Sequence, residues 1–267
     1  MTDKVAILTA GRGTRMQAAA PNVSLSREQQ LAADAGAKAM IPIGRPFLDY
    51  TLSACADAGF RDVCLIIAPG ANPIRDHYSG LETTRLRLHY AVQEQPLGVA
   101  NAVLSVREFV GEDAFVVING DNYYPASVLE QLRRMPAPAL PAYSRAGLLR
   151  EGQIAAERIL AYALLDIDGD GCLRRIVEKP TAAEAAAMPN APVSLNSWLF
   201  TPSIFDACER VQPSARGELE LPAAVQLAID SGMRFSTFSA DASVLDLSSR
   251  ADIPAVAERL RTVRVHL

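Results

Sequence analysis

The sequence predicts an α/β protein, a mostly parallel sheet flanked by helices. Three observations predict it. Apolar strand-like runs alternate with helix-like stretches along the chain. Residues able to shape or bind a ligand recur at the ends of those runs, which is where open α/β sheets take their ligands. The length, 267 residues, suits one such domain with a modest elaboration and a large core.

Taken in order, the apolar run 5–8 feeds a glycine-rich turn, Ala10-Gly11-Arg12-Gly13-Thr14-Arg15. A polar stretch, 21–36, follows, and in it Ser26 with Gln29 three residues on reads as a capping box that starts a short helix. Apolar spacing predicts a helix over 46–58, a strand over 63–67, a strand over 86–92 and a helix over 99–106. The strand 114–118 ends in Asn119-Gly120-Asp121-Asn122. Strands over 159–167 and 173–177 flank Asp168-Gly169-Asp170-Gly171, a hairpin turn that lacks the downstream ligands of a calcium loop. Helices are expected over 182–187, 202–210, 219–231 and 251–261, and the proline-rich 135–141 is expected to be a loop.

Composition narrows the function. A net charge of −4 argues against sequence-independent binding of nucleic acid, which needs a basic surface. No apolar run approaches the roughly 20 residues that span a bilayer, and no leader pattern is visible at the start, so a cytoplasmic protein that engages no membrane is expected. Cys55, Cys64, Cys172 and Cys208 are scattered through apolar stretches without a Cys-x-x-Cys pair, the usage of reduced core residues.

Five segments carry chemistry. The turn at residues 10–15 gathers backbone N–H groups and a fixed positive charge, a combination suited to phosphate oxygens. It is not a dinucleotide fingerprint, whose third glycine position is Met16, nor a P-loop, which needs Gly-Lys-Ser/Thr. Lys38, ahead of Ile41-Pro-Ile-Gly-Arg-Pro46, offers a flexible point charge to a phosphate. Gln93 carries a donor and an acceptor for the edge of a base, and Gly98 permits close approach to the backbone. Asp121, at a strand's carboxyl end, is a hard oxygen ligand of the kind Mg²⁺ uses. Glu178 and Lys179 end another strand, and the pleat points them to opposite sides. Neither His77 nor His89 has a nucleophile partner by spacing.

In that order the motifs make a joint pattern: Ala-Gly-x-Gly-Thr-Arg, a lysine before Ile-Pro-Ile-Gly-x-Pro, Gln-x-x-Pro-x-Gly-x-Ala, Gly-Asp-Asn and Glu-Lys-Pro. This resembles the sugar-phosphate nucleotidylyltransferases, nearest to the glucose-1-phosphate uridylyl- and thymidylyltransferases. The resemblance implies a Rossmann-like nucleotide-diphospho-sugar transferase fold in a single domain over 1–267. An NTP-binding half would cover about 1–135, and a smaller β-rich sugar-phosphate-binding half about 136–267. It implies transfer of a nucleotidyl group from an NTP, UTP or dTTP, to a hexose 1-phosphate with Mg²⁺ as cofactor, in a homodimer or homotetramer. Ala10, Gly11, Gly13 and Thr14 would hold the NTP phosphates, with Arg15 on the departing pyrophosphate and Lys38 on the transferred phosphate as the catalytic pair. Gln93 and Gly98 would bind the base. Glu178, Lys179 and Asn196 would bind the sugar phosphate, and Asp121 and Asp246 the metal.

Three departures stand out. Ala37 replaces the proline before the lysine, the stretch 21–36 lengthens the path from Arg15 to Lys38, and Trp198 replaces a glycine-containing segment after Asn196. The long stretch is expected to be a lid over the phosphates. Alternatives left open are a guanylyl- or cytidylyltransferase acting on mannose or a cyclitol 1-phosphate, and a non-catalytic nucleotide-sugar sensor. A glycosyltransferase would need an Asp-x-Asp motif, of which Gly-Asp-Asn is only half.

Overall fold

The computed structural model describes residues 1–150, 154–159 and 162–267. The described residues form a ten-stranded sheet with helices on both faces, plus a separate two-stranded ladder. The strands are β1 (Lys4–Leu8), β2 (Asp62–Ile67), β3 (Arg87–Val92), β4 (Phe115–Asn119), β5 (Asn122–Tyr123) and β6 (Ala139–Tyr143). They continue with β7 (Ala163–Ile167), β8 (Cys172–Val177), β9 (Val193–Ser194), β10 (Trp198–Phe200), β11 (Phe235–Ala240) and β12 (Leu245–Asp246).

The first four strands pair in parallel in the order β3-β2-β1-β4, so their carboxyl ends lie along one edge. The second half differs from the mostly parallel sheet expected. There β10 runs antiparallel to β4 and β6, β7 pairs antiparallel with β8 and β9, and only β11 runs parallel to β6. Because β11 also pairs with β8, these pairings close on themselves. The sheet as a whole is mixed.

Strand periodicity builds the two faces. Val5, Ile7, Val63, Leu65, Val116 and Ile118 point to one side, where they pack with Leu48, Leu52, Leu129 and Leu132 from the helices Phe47–Asp57 and Ala126–Arg134. Ala6, Cys64, Ile66, Phe115 and Val117 point to the other. Val103, Ile204, Phe205, Val225 and Ala228 cover them from the helices Val99–Leu104, Ile204–Arg210 and Leu221–Asp230. All four cysteines are free thiols, and burial pushes Cys55, Cys64 and Cys208 up to about 12.

The stretch 21–36 is a docked helix. Its Arg27–Asp34 segment opens with both bonds of the Ser26–Gln29 capping box, and Gln29 Nε2 also donates to Pro42 O at 3.0 Å. Ala33 joins Met16, Ile41, Phe47, Leu245, Leu247 and Val256 in a third cluster of buried residues. That cluster ties the glycine turn, the polar stretch, β12 and the helix Ile253–Leu260 together.

The hairpin at 168–171 forms with Asp168 Oδ1 accepting from the amides of Asp170 and Cys172. Two expectations need correction or limits. Residues 139–141 belong to β6 and not to a loop; Pro138 and Pro141 hide the strand because proline carries no ladder donor. Residues 160 and 161, assigned above to the strand 159–167, lie outside the described residues, and the described strand is Ala163–Ile167.

Candidate active site

The glycine turn follows β1 directly. Among the described residues, the backbone N–H groups of Ala10 through Arg15 donate to no backbone carbonyl of the chain. Gly11, Arg12, Thr14 and Arg15 are exposed, so these donors lie open at the sheet's edge. Gly13 is required by packing: its φ is +62°, and a Cβ there would sit 2.1 Å from Gly36 O. The far end of the polar stretch therefore presses on the turn backbone to backbone.

Lys38 begins a 3₁₀ turn, Lys38–Met40, and reaches across to the end of β4. Its Nζ lies 2.7 Å from Asp121 Oδ2, with the two side chains 16% and 26% exposed. Gly120 makes that corner possible. Its N–H donates to Leu8 O at 2.9 Å, and a Cβ would lie 2.7 Å from the same oxygen. The residues after β1 and β4 are thereby held side by side.

Gln93, just past β3, is buried, and its Nε2 donates to Gly98 O and to Asn101 Oδ1, each at 3.0 Å. Both amide donors are thus used within the chain, and Oε1 is the group left for a ligand. The demand for glycine at 98 comes from an unexpected quarter. With φ +117°, a Cβ on Gly98 would lie 2.6 Å from the backbone N and O of Leu219, and Leu219 is bonded to Leu97 O and to the Ala100 N–H at 2.7 and 2.9 Å. Gly98→Ala is expected to cost about 2 kcal/mol through strain at this backbone. A thermal melt checks it, and an unchanged Tm would show that the Leu219 contact yields.

Leu219 belongs to a loop that sequence reasoning missed. Its charged residues Arg216, Glu218 and Glu220 sit around Gly217; Arg216 pairs with Glu220 at 2.7 Å and lies 3.5 Å from Glu218. The same loop and the helix Leu221–Asp230 wall a cleft of about 760 Å³ that Glu178 and Lys179 also line. The signal was present as a run of charges about a glycine between two helices, but such runs usually mark plain surface loops. Desolvation by the cleft walls, then the Glu220 carboxylate, raises the Glu178 pKa, and Lys179 and Arg216 oppose the rise.

Lys179 and Asn196 share a further trait. Their φ values are +49° and +53°, and they are the non-glycine residues recorded with positive φ among the described residues. Left-handed backbone of this kind collects at ligand sites and costs of order 1 kcal/mol or more to hold. Asn196 Oδ1 accepts from Trp198 Nε1 at 3.4 Å, and Trp198 itself is fully buried, stacked on Phe200. His89 lies against Asp62 at 3.1 Å on the far end of the sheet, away from these groups.

Asp246 is brought beside Asp121 as part of the β5–β12 ladder. It pairs with Asn122, and Leu247 N donates to Asp121 O at 2.8 Å. Its side chain, however, is engaged: Oδ1 accepts from Ser248 Oγ at 2.8 Å, and Oδ2 from Arg158 at 2.5 Å and Tyr162 OH at 2.9 Å. No sequence signal marked Arg158 or Tyr162.

A parallel β3-β2-β1-β4 edge carrying a glycine turn with open amides, a lysine and a strand-end aspartate defines an open-sheet α/β protein with its polar groups gathered at the strand ends. The nucleotidyl transferase family profile matches residues 4–253, and the chain belongs to that family. Among similar proteins is the glucose-1-phosphate thymidylyltransferase of Streptomyces antibioticus, 29% identical over 259 residues, covering 94% of this chain and 64% of that one. The Streptomyces griseus protein of the same name is 30% identical over 231 residues, 86% of this chain and 58% of its own length. This chain thus spans less than two thirds of either. The UTP–glucose-1-phosphate uridylyltransferase of Haloferax volcanii is 28% identical, covering 96% of this chain and 95% of its own. A UDP-glucose pyrophosphorylase solved with UDP-glucose superimposes with a TM-score of 0.74 at 19% identity, over 99% of this chain and all of the other. At that identity the likeness establishes the fold.

Proposed function

We propose that the protein transfers a nucleotidyl group from UTP or dTTP to a hexose 1-phosphate, forming a nucleotide-sugar and pyrophosphate. One observation carries the reading: Lys38 Nζ and Asp121 Oδ2 meet at 2.7 Å beside open backbone donors at the carboxyl ends of β1 and β4. A cation, a carboxylate and unused amides at one sheet edge suit a triphosphate and its counter-ion. The names of the relatives, thymidylyl- and uridylyltransferases, point the same way.

In this reading the first half, about 1–135, binds the nucleotide, and the second half, about 136–267, the sugar phosphate. An oxygen of the sugar 1-phosphate attacks the α-phosphorus in line. The bond from that phosphorus to the bridging oxygen breaks, and pyrophosphate leaves with the electron pair. The attacking oxygen is already ionised, so no protein nucleophile or general base is required. Residues 10–14 donate to the phosphates. Arg15, exposed and in no ion pair among the described residues, neutralises the departing pyrophosphate. Lys38 exchanges the Asp121 carboxylate for a phosphate oxygen, and Glu178, Lys179 and Asn196 position the sugar phosphate from the other side.

The resemblance also implies a divalent ion, Mg²⁺. Asp121 suits it, since Lys38 takes one carboxylate oxygen and the side chain is partly open at a strand end. Bound with the substrate phosphates, such an ion supplies charge neutralisation at the α-phosphate. Asp246, with both oxygens already accepting hydrogen bonds, does not suit it.

Gln93 bears on the base. With its N–H groups committed to Gly98 and Asn101, Oε1 accepts, which matches the N3–H of uracil or thymine and opposes the N3 acceptor of cytosine. The decisive experiment incubates each NTP with a panel of sugar 1-phosphates and measures pyrophosphate. Release with UTP or dTTP and a hexose 1-phosphate is expected. Release only with GTP or CTP would overturn the base assignment, and no release with any pair would make the protein a nucleotide-sugar sensor.

A further inference from the structure

The β5–β12 ladder brings the two aspartates into one corner, but it does not leave them chemically alike. Among the described residues no group bonds to the second carboxylate oxygen of Asp121, and its side chain is a quarter exposed. Asp246 is 5% exposed and already satisfied. Its Oδ2 accepts from Arg158 at 2.5 Å and from Tyr162 OH at 2.9 Å, and its Oδ1 from Ser248 Oγ at 2.8 Å.

The network continues beyond Asp246. Arg158 uses its other terminal nitrogen to reach Asp252 Oδ1 at 2.6 Å, so one planar fork spans two buried carboxylates. Asp252 is fixed in turn, its Oδ2 accepting from the N–H groups of Ser248 and Ser249 at 3.1 and 2.7 Å. Burial by itself would lower the Arg158 pKa, but the Asp246 and Asp252 carboxylates more than reverse this, so the guanidinium stays charged. A hard divalent ion binds carboxylate oxygens that are free to turn lone pairs toward it. To reach Asp246 it would have to expel the guanidinium from that carboxylate, leaving Arg158 partly buried with one of its two partners lost. That loss is the costly one for buried ion pairs.

We propose that Arg158 is the resident cation at Asp246: Asp246 anchors this guanidinium beside the Asp121 segment and ligates no metal, so Asp121 is the aspartate that holds the divalent ion. The inference rests on the proposed function only in taking an NTP as the ion's co-ligand. Its consequence is that the charge of Asp246 is neutralised by a side chain of the protein, one that chelators do not remove.

The test counts Mn²⁺ by electron paramagnetic resonance in the presence of a UTP analogue with a methylene α,β bridge. The wild-type chain is compared with Asp121→Asn, Asp246→Asn and Arg158→Gln. Asp246→Asn is expected to leave Mn²⁺ stoichiometry and affinity unchanged while lowering Tm, because Arg158 loses its anchor. Arg158→Gln, which takes the cation away from Asp246 Oδ2, is expected to tighten Mn²⁺ binding about tenfold or to add a second equivalent. Loss of Mn²⁺ in Asp246→Asn with Arg158 in place would overturn the inference. If that variant does not fold, Arg158→Gln decides alone, and unchanged binding overturns it. Asp121→Asn separates the two readings: unaltered Mn²⁺ binding there would refute the metal role of Asp121, whatever Arg158 does.

Discussion

Asp121→Asn is expected to lower turnover on the order of a hundredfold or more while the fold persists. The substitution keeps the shape of the side chain and an oxygen that can still accept from Lys38 Nζ, which lies 2.7 Å from Oδ2 in the native chain. What it removes is the charge. An amide holds a divalent ion weakly, and it leaves the Lys38 ammonium without a counter-charge before substrate arrives. Both changes act where negative charge accumulates on the α-phosphate, and neither touches the core, since Gly120 and the backbone bond from Leu247 N to Asp121 O remain. The measurement is pyrophosphate release at saturating NTP and sugar 1-phosphate, with a thermal melt as the control for folding. Near-native turnover would reduce Asp121 to an anchor for Lys38. A matching loss in Tm would assign the effect to structure.

Arg250→Ala is expected to cost about 3 kcal/mol, or about 6–10 °C of Tm in a chain of this size. Arg250 is 5% exposed and holds three acceptors at once. Its Nε donates to Met16 O at 2.8 Å, and its Nη2 to Gln17 O at 3.1 Å and Asp34 Oδ1 at 2.6 Å. The first two are carbonyls at the end of the short helix Thr14–Gln17, whose buried residue, Met16, lies in the third core cluster. The third bond reaches the helix that follows the glycine turn in sequence. One side chain near the C-terminus therefore braces the segment that carries Arg15 against the segment that presses on Gly13. Truncation should also raise the KM for the NTP more than it lowers kcat, since it loosens the phosphate turn and not the reacting atoms. Arg250→Lys should fall between, because an ammonium reaches Asp34 or the carbonyls but does not span all three. The hydrogen bond from Arg250 holds the Asp34 carboxyl below the usual range. The tie is thus intact above about pH 4 and loosens as pH falls below that. An Arg250→Ala chain with native Tm and native KM would contradict the bracing role.

How much of this was legible differs from element to element. The strands at 4–8, 62–67 and 115–119 were readable because both of their faces are buried, so each is a continuous apolar run ended by polar or glycine residues. The Ser26–Gln29 capping box was readable because it is local in sequence, and both of its bonds form. By contrast β6 carries Pro141, β10 is three residues long and β11 sets Ser236 and Thr237 between its buried Phe residues. Such strands exist through partners far along the chain, and a short window of sequence holds none of those partners.

The same division governs the site. The sequence by itself determined the chemical inventory: a turn of small residues with Arg15, then Lys38, Gln93, Asp121 and Glu178-Lys179 in order, all but Lys38 beside a strand end. These are statements about residue type and local spacing, and local backbone physics suffices to make them. Tertiary structure alone decided what each group faces. It set Lys38 on Asp121, turned the need for glycine at 98 toward the Leu219 backbone, bent Lys179 and Asn196 into left-handed conformations, and gave Asp246 to Arg158. A carboxylate's role depends on which cation reaches it first, and that is settled by side chains brought together across the fold from segments whose local sequences carry no mark of one another.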